Sequence, residues 1–324
     1  MQRSEQIYSV SLQQGTVEVR DVGQGQPLLF LHGAFSDSTI WNALVQLLIP
    51  LGYRCILPTL PLGSHCIPQP PGADLTPPGL ADLVADLIAA LKLTPATVIS
   101  NDTGTAVMQL VLTRRPEAVA TAVLTSGDAY EYFLPPVLAS LKALPYLPGA
   151  LRLLAWIMRQ PALARQPWAF GRLSRKGMTP AQAQRWSHAL LHHAEVRCDT
   201  RALIRGFHRR HTLQAAAGFA RVTVPVQVIW GREDRIFPVE LGKRLARDLP
   251  NAEFHELEKT GTYIQVDAPD ALCARIHMFL QRQGTQSKQT DAAAMALNGL
   301  ALLTPRSRPA IEDAARRATG EGRT

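Results

Sequence analysis

The stretch Ala96-Thr97-Val98-Ile99-Ser100-Asn101-Asp102-Thr103-Gly104-Thr105-Ala106 confines the possible folds of this chain more than any other. Its first five residues read as a buried strand, and after a sharp turn the residues from Thr103 onward open a helix. At the turn Asp102 stands between Ser100 and Gly104, a small-x-Asp-x-small spacing. Small residues are needed on both sides because strand and helix approach closely there, and the apex residue is strained. Aspartate is also a good helix N-cap, but an ordinary cap does not call for small neighbours on both sides after a buried strand. A carboxylate at the apex attacks carbon and forms an ester with the protein, where a serine would take an acyl group.

The surrounding periodicity supplies a sheet for that turn. Alternating stretches at Ile7–Leu12 and Thr16–Val22 predict an antiparallel pair at a sheet edge, and the solid apolar run Pro27–Leu31 predicts a strand covered on both faces. A helix at 39–51, a strand at 54–57, a Pro- and Gly-rich loop at 58–78 and a helix at 80–91 follow. Strand 96–100, helix 103–115 and strand 118–124 complete a β-α-β sequence. From about Tyr130 to Gly218 the chain reads as helical with Pro breaks. Strand and helix then alternate again at 226–230, 239–248, 253–258 and 270–282. The predicted organisation is an α/β core over 1–129 and 219–283, an inserted helical cap over 130–218, and a loosely ordered tail over 284–324, with room for a helix at 291–303.

Composition narrows the setting. With 324 residues, 46% hydrophobic and 19% charged, the chain has enough apolar material for a substantial core. The formal charge is +8, and residues 130–215 hold 13 Lys and Arg against 3 Asp and Glu. Such a segment is either a set of solvated Arg-rich helix faces or a field favouring an anionic substrate, a phosphorylated carrier or an acidic membrane surface. Cys55, Cys66, Cys198 and Cys273 show no CxxC spacing, which fits reduced, mostly buried thiols. The opening residues lack the apolar core of a signal peptide, and no run reaches the roughly 18 apolar residues of a membrane span. A cytoplasmic location follows as the expectation. Neither a Gly-rich phosphate loop nor a metal-ligand triplet is present, so no cofactor and no metal are expected.

Three motifs in register resemble the α/β-hydrolase superfamily over roughly residues 6–282. They are His32-Gly33 after the third strand, the elbow at Asp102, and Gly231-Arg232-Glu233-Asp234 after the strand ending at Trp230. The resemblance implies a mostly parallel twisted sheet with helices on both faces and an inserted helical cap. An aspartate at the elbow is similar to the branch containing haloalkane dehalogenases and epoxide hydrolases. There an Asp attacks carbon, an acid-oriented His activates water, and water cleaves the ester. The sequence departs from that pattern at one position. Where the superfamily has Gly-His-aromatic, this chain has Gly261-Thr262-Tyr263, and threonine accepts no proton near neutral pH. A tryptophan that holds halide in dehalogenases is here Thr103. Tyr130, Tyr132 and Tyr146 lie in or near the cap, where epoxide hydrolases keep the tyrosines that protonate the ring oxygen.

The candidate catalytic residues are therefore Asp102 as nucleophile or base, Asp234 at the usual acid position, and His65, in the loop after the fourth strand, as a displaced base. His32, Gly33, Ala34 and Phe35 form the expected substrate-facing loop. A backbone N–H of Ala34 or Phe35, with that of Thr103, would make an oxyanion hole, and the His32 imidazole would fix the loop. Asp128 is an alternative acid or a turn residue, and Thr262 is placed at the site. His188, His192 and His193 lack a third ligand in register for zinc. Trp156, Trp168, Trp186, Phe170 and Tyr146 are expected to form the cap's core. Two functions stay open: hydrolysis of a C–halogen, epoxide or ester bond of a small molecule through Asp102, and a non-hydrolytic scaffold that binds a ligand or transfers a proton. The dispersed arginines match no nucleic-acid-binding module, and the oligomeric state is not legible.

Overall fold

The apolar runs build one eight-stranded sheet. Its strands are β1 (Gln6–Leu12), β2 (Gly15–Gly23), β3 (Gln26–Leu31), β4 (Tyr53–Thr59), β5 (Ala96–Ser100), β6 (Val119–Thr125), β7 (Val226–Gly231) and β8 (Ala252–Leu257), in the order β1-β2-β4-β3-β5-β6-β7-β8. The β1–β2 and β2–β4 pairings are antiparallel and every other pairing is parallel. The computed structural model describes residues 5–166 and 170–301, with side chains as far as 285. Solid apolar strands take the middle of the sheet: β5 lies between β3 and β6, with Leu29 opposite Val98 and Leu31 opposite Ser100. The alternating β1 is left at the edge, as its half-exposed side chains require.

The helices are α1 (Asn42–Leu48), α2 (Pro77–Ala90), α3 (Thr103–Arg114), α4 (Ala150–Arg159), α5 (Pro161–Ala164), α6 (Pro180–His192), α7 (Ala194–Gly206), α8 (Arg210–Ala216), α9 (Val239–Asp248), α10 (Ile264–Asp267) and α11 (Pro269–Ala301). The single helix expected over 39–51 is three pieces: a 3-10 turn at Ser38–Trp41, α1, and a second 3-10 turn at Ile49–Leu51. Asp37 caps the first turn by accepting the Thr39 N–H at 2.8 Å. Pro50, which has no N–H, stops α1, and Gly52 closes the last turn with a left-handed φ of 84°. Between β6 and β7 the described residues hold a 3-10 helix at Pro136–Tyr146 and α4 to α8, and no strand.

The chain divides into two compact units, Met1–Arg275 and Ile276–Thr324. In the second unit residues 276–301 continue α11, so the segment expected to be loose from 284 is helical as far as Ala301. Residues 302–324 and Trp168 lie outside the described residues. Among the described residues no helix is long and apolar enough to cross a membrane. The four cysteines are unpaired; Cys55 and Cys273 are buried, while Cys66 and Cys198 are exposed.

Three carboxylates stitch the helical segment to the sheet side of the first unit. Asp37 accepts Trp186 Nε1 at 2.8 Å and pairs with Arg185. Asp199 accepts the Gln69 N–H at 2.9 Å and meets His65 Nε2 at 3.1 Å. Asp267 accepts Ser174 Oγ at 2.7 Å, the N–H groups of Arg175 and Lys176 at 2.9 and 3.1 Å, and the Gly261 N–H at 2.9 Å. Removing an acceptor shared by so many donors strands them, so Asp267→Ala should cost roughly 3 kcal/mol or more. A melting curve would show the loss, and limited proteolysis should cut first near Ser174. A variant melting with the native protein would show that the seam does not depend on this carboxylate.

Candidate active site

Asp102 stands at the apex of the β5–α3 turn with φ 56° and ψ −128°, a region that non-glycine residues rarely occupy. The turn is over-determined by backbone bonds. The Asp102 N–H donates to Ser126 O at 2.8 Å, and the Asn101 N–H to Leu31 O at 3.0 Å. Close approach explains the small residues. A Cβ at Gly104 would sit 2.5 Å from the Leu31 carbonyl oxygen, and one at Gly33 would collide with the Asp102 carboxyl. Asp102 makes no side-chain capping bond to α3, which sets aside its reading as an ordinary N-cap.

The carboxyl group opens into a small, narrow cavity of about 80 Å³. Ala34, Phe35, Asp102, Thr103 and Asp128 line one side, and Phe133, Leu138, Leu154, Phe170, Leu173 and Phe237 are among the residues that close the rest. Lining side chains that carry a polar atom are Asp102, Thr103 and Asp128. The Thr103 hydroxyl donates to Asp128 Oδ2 at 3.4 Å, and Asp128 Oδ1 has no hydrogen-bond partner among the described residues.

Thr262 is fully buried and bonds Asp234. Its hydroxyl donates to Asp234 Oδ1 at 2.8 Å, while its carbonyl accepts Asn101 Nδ2 at 2.8 Å. Asp234 Oδ1 also accepts the N–H groups of Ile236 and Phe237 at 2.8 and 2.9 Å. Oδ2 makes no hydrogen bond of normal geometry; the Ser126 hydroxyl is near enough only to favour the charge slightly.

Burial without a cation raises all three carboxyls. Asp102 is pushed up to about 7, first by desolvation and then by the charge of Asp234, against the Thr103 N–H that favours the carboxylate. Asp234 rises to about 6 through desolvation, held back by its hydrogen bonds. Asp128 lies well above the ordinary carboxylate range, from desolvation and then from Asp102.

Of the sequence-predicted residues, Ala34, Phe35, Asp102, Thr103 and Asp128 meet at the cavity, Gly33 packs on the Asp102 carboxyl, and Asp234 and Thr262 stand behind it. Two expectations need correction. His65 is no displaced base: it is buried, its Nε2 engages Asp199, its Nδ1 accepts the Gly63 N–H at 3.4 Å, and it does not line the cavity. His32 does not face substrate, since Nδ1 bonds Gly33 O at 2.8 Å and Nε2 accepts the Leu60 N–H at 2.9 Å. Full burial lowers it to about 4, so it is a neutral loop fastener. Phe35 cannot supply an oxyanion donor either, because its N–H is bonded to Leu62 O at 2.9 Å. That leaves Ala34 of the two.

The cap aromatics also differ from expectation. Trp156 is 50% and Tyr146 69% exposed, Trp186 is buried against Asp37, and Phe170 lines the cavity. Tyr130 donates to Asp248 at 2.8 Å beneath the Arg244 guanidinium, and neither it, Tyr132 nor Tyr146 reaches the cavity. Sequence reasoning missed Tyr263, a buried phenol without a partner for its hydroxyl among the described residues. Burial, then the charge of Asp102, holds it well above its usual range. Its position after Thr262, where the superfamily has an aromatic, was the available signal. Among the described residues no cluster of His, Cys, Asp and Glu could hold a metal.

With the sheet order, the elbow and this cavity in place, the family is defined. Residues 28–275 match the model of the alpha/beta hydrolase family, and the chain belongs to it. It is 23% identical over 284 residues to a 2-hydroxy-6-oxononadienedioate/2-hydroxy-6-oxononatrienedioate hydrolase of Pseudomonas sp, covering 83% of this chain and 93% of that protein. It is 25% identical over 293 residues to the cis-3-alkyl-4-alkyloxetan-2-one decarboxylase of Shewanella oneidensis, covering 84% and 87%. Among solved structures it resembles haloalkane dehalogenase DbeA from Bradyrhizobium elkani, with a TM-score of 0.70 and 20% identity over 87% of this chain and 100% of that one.

The raised carboxyls carry a sign for stability. A carboxyl that holds its proton more tightly when folded makes the fold lose stability as pH rises from the unfolded value, near 4, through the folded one. Asp102→Asn should therefore stabilise the protein by a few kcal/mol at about pH 8 and by much less at about pH 4. Denaturant unfolding at the two pH values tests this; an equal effect at both would mean that Asp102 is not ionised against a penalty.

Proposed function

We propose that this chain hydrolyses a small, mostly apolar electrophile through an ester formed on Asp102, and that its preferred substrate is a strained cyclic ether or lactone. The observation carrying this reading is the pairing, in an apolar cavity, of the apex carboxyl of Asp102 with a second buried carboxyl, Asp128, whose Oδ1 has no hydrogen-bond partner among the described residues. The dehalogenase alternative is disfavoured because none of the lining side chains is an N–H donor for a departing halide, whereas a carboxylic acid suits a departing oxygen. A relative named for acting on an oxetan-2-one, a strained oxygen ring, supports the same class.

In the proposed cycle an Asp102 oxygen attacks a ring carbon, the ring C–O bond breaks, and its oxygen takes the proton of Asp128. Water then gives a proton to Asp234 while attacking the carbonyl carbon of the Asp102 ester. The ester C–O bond breaks, the departing oxygen takes that proton from Asp234, and the carboxylic acid left at Asp102 returns its proton to Asp128. With a buried Oδ2 that has no hydrogen-bond partner among the described residues and a value raised to about 6, Asp234 suits the base that the missing imidazole would have been. A second reading, proton transfer without an ester, is favoured by Thr262 alone, since it removes the group that completes hydrolysis throughout the resembling families.

Intact-mass spectrometry separates the two. With a terminal epoxide the native protein should gain one adduct on Asp102 and lose it slowly, and Asp102→Asn should gain none. In Asp234→Asn the adduct should persist, with release slowed about 100-fold or more. In Asp128→Asn epoxide labelling should fall about 100-fold relative to labelling by a bromoalkane of equal length. Absence of any adduct on the native chain would sink the ester route. Hydrolysis seen only after Thr262→His would favour the second reading.

A further inference from the structure

Two elements of the cap present apolar side chains in both directions. On the 3-10 helix Pro136–Tyr146 and on α4, Leu138, Leu141 and Leu154 line the cavity. On the same segment Val137, Tyr146, Leu147, Leu153 and Trp156 are exposed, by 39, 69, 54, 58 and 50%. The spacing explains the division on α4: Leu151, Ala155 and Met158 are buried, whereas Arg152, Leu153, Trp156 and Arg159 form one outward stripe. Exposed large apolar residues scattered singly need no explanation, but five on one continuous stretch of a cap do.

The charge around them is one-sided. Lys142, Arg152, Arg159 and Arg205 are exposed, and among the described residues none of the four forms an ion pair. The Arg205 guanidinium lies 5.4 Å from the centre of the Tyr146 ring, joining the basic and aromatic parts of the face. Several other arginines do reach carboxylates, as Arg175 does with Glu233 and Arg244 with Glu131.

We propose that this outer face of the cap docks on an anionic lipid bilayer, with Trp156, Tyr146 and the leucines entering the interfacial layer and the four cations facing lipid phosphates. An amphipathic helix with aromatic and aliphatic residues beside Arg is the pattern that lies in a membrane interface. Each basic residue near an anionic surface adds about 1 kcal/mol of attraction. A second copy of this chain fits less well, since a two-fold contact would set this unpaired positive face against itself. The docked surface is backed by residues that line the cavity, Leu138, Leu141 and Leu154. The inference is independent of the chemistry assigned to Asp102.

Co-sedimentation of the full chain with vesicles tests it, using phosphatidylcholine alone and phosphatidylcholine with roughly one-third phosphatidylglycerol. The protein should pellet with the anionic vesicles only, and about 0.5 M NaCl should release it. Leu153→Asp combined with Trp156→Asp should lower the bound fraction ten-fold or more, and Arg152→Glu with Arg159→Glu should do the same should the first pair misfold. Equal pelleting with both vesicle types, or none, would overturn the proposal, as would variants that fold and bind like the native chain. So would a native dimer in sedimentation velocity that the double variants dissociate, which would assign the face to a second copy.

Discussion

Three carboxyl groups share one poorly hydrated corner of this protein without a cation among them. Asp102 and Asp128 line the cavity, Asp234 acts on Asp102 from behind, and the cavity lining contains no Lys, Arg or His. Desolvation is the first cause of each shift, so protonation is graded by burial and by mutual repulsion rather than by an imidazole. Hydrogen bonds hold Asp234 back at about 6, Asp102 rises to about 7 at the strained apex, and Asp128 lies well above the ordinary carboxylate range.

The parts legible in the sequence were those set by local chain geometry. The elbow was readable because Ser100 and Gly104 flank Asp102, and the antiparallel pair at the sheet edge because solid and alternating apolar runs differ in burial. Histidine roles were not readable. His65 and Asp199 are 134 positions apart, and nothing near His65 in sequence shows that its ring is held by a helix of the cap. The same limit hid Asp267, which sits in the expected acid-Pro stretch yet spends its oxygens on the backbone of residues 175 and 176. Trp156 misled for a simpler reason: aromatic composition suggests a core, and only the phase of α4 tells which way its ring points.

The cap serves two surfaces at once. Its inner leucines and Phe170 keep the carboxyls poorly hydrated, which is the condition for their raised values, while its seam with the sheet side is held by Asp37, Asp199 and Asp267 rather than by apolar contact alone. Charge is thus sorted by place. Carboxylates at the seam have strong donors, whereas Asp102 and Asp128 at the cavity have few.

One backbone bond bears on the rhythm of the proposed cycle. Because the Phe35 N–H is committed to the Leu62 carbonyl, fewer donors face an oxygen that becomes negative on the ester's own carbonyl. Opening a ring at a saturated carbon creates no such charge there, so the first half-reaction escapes the handicap and the second bears it. The species that accumulates with substrate in excess would then be the esterified protein, and water's arrival, not the capture of substrate, would set the pace.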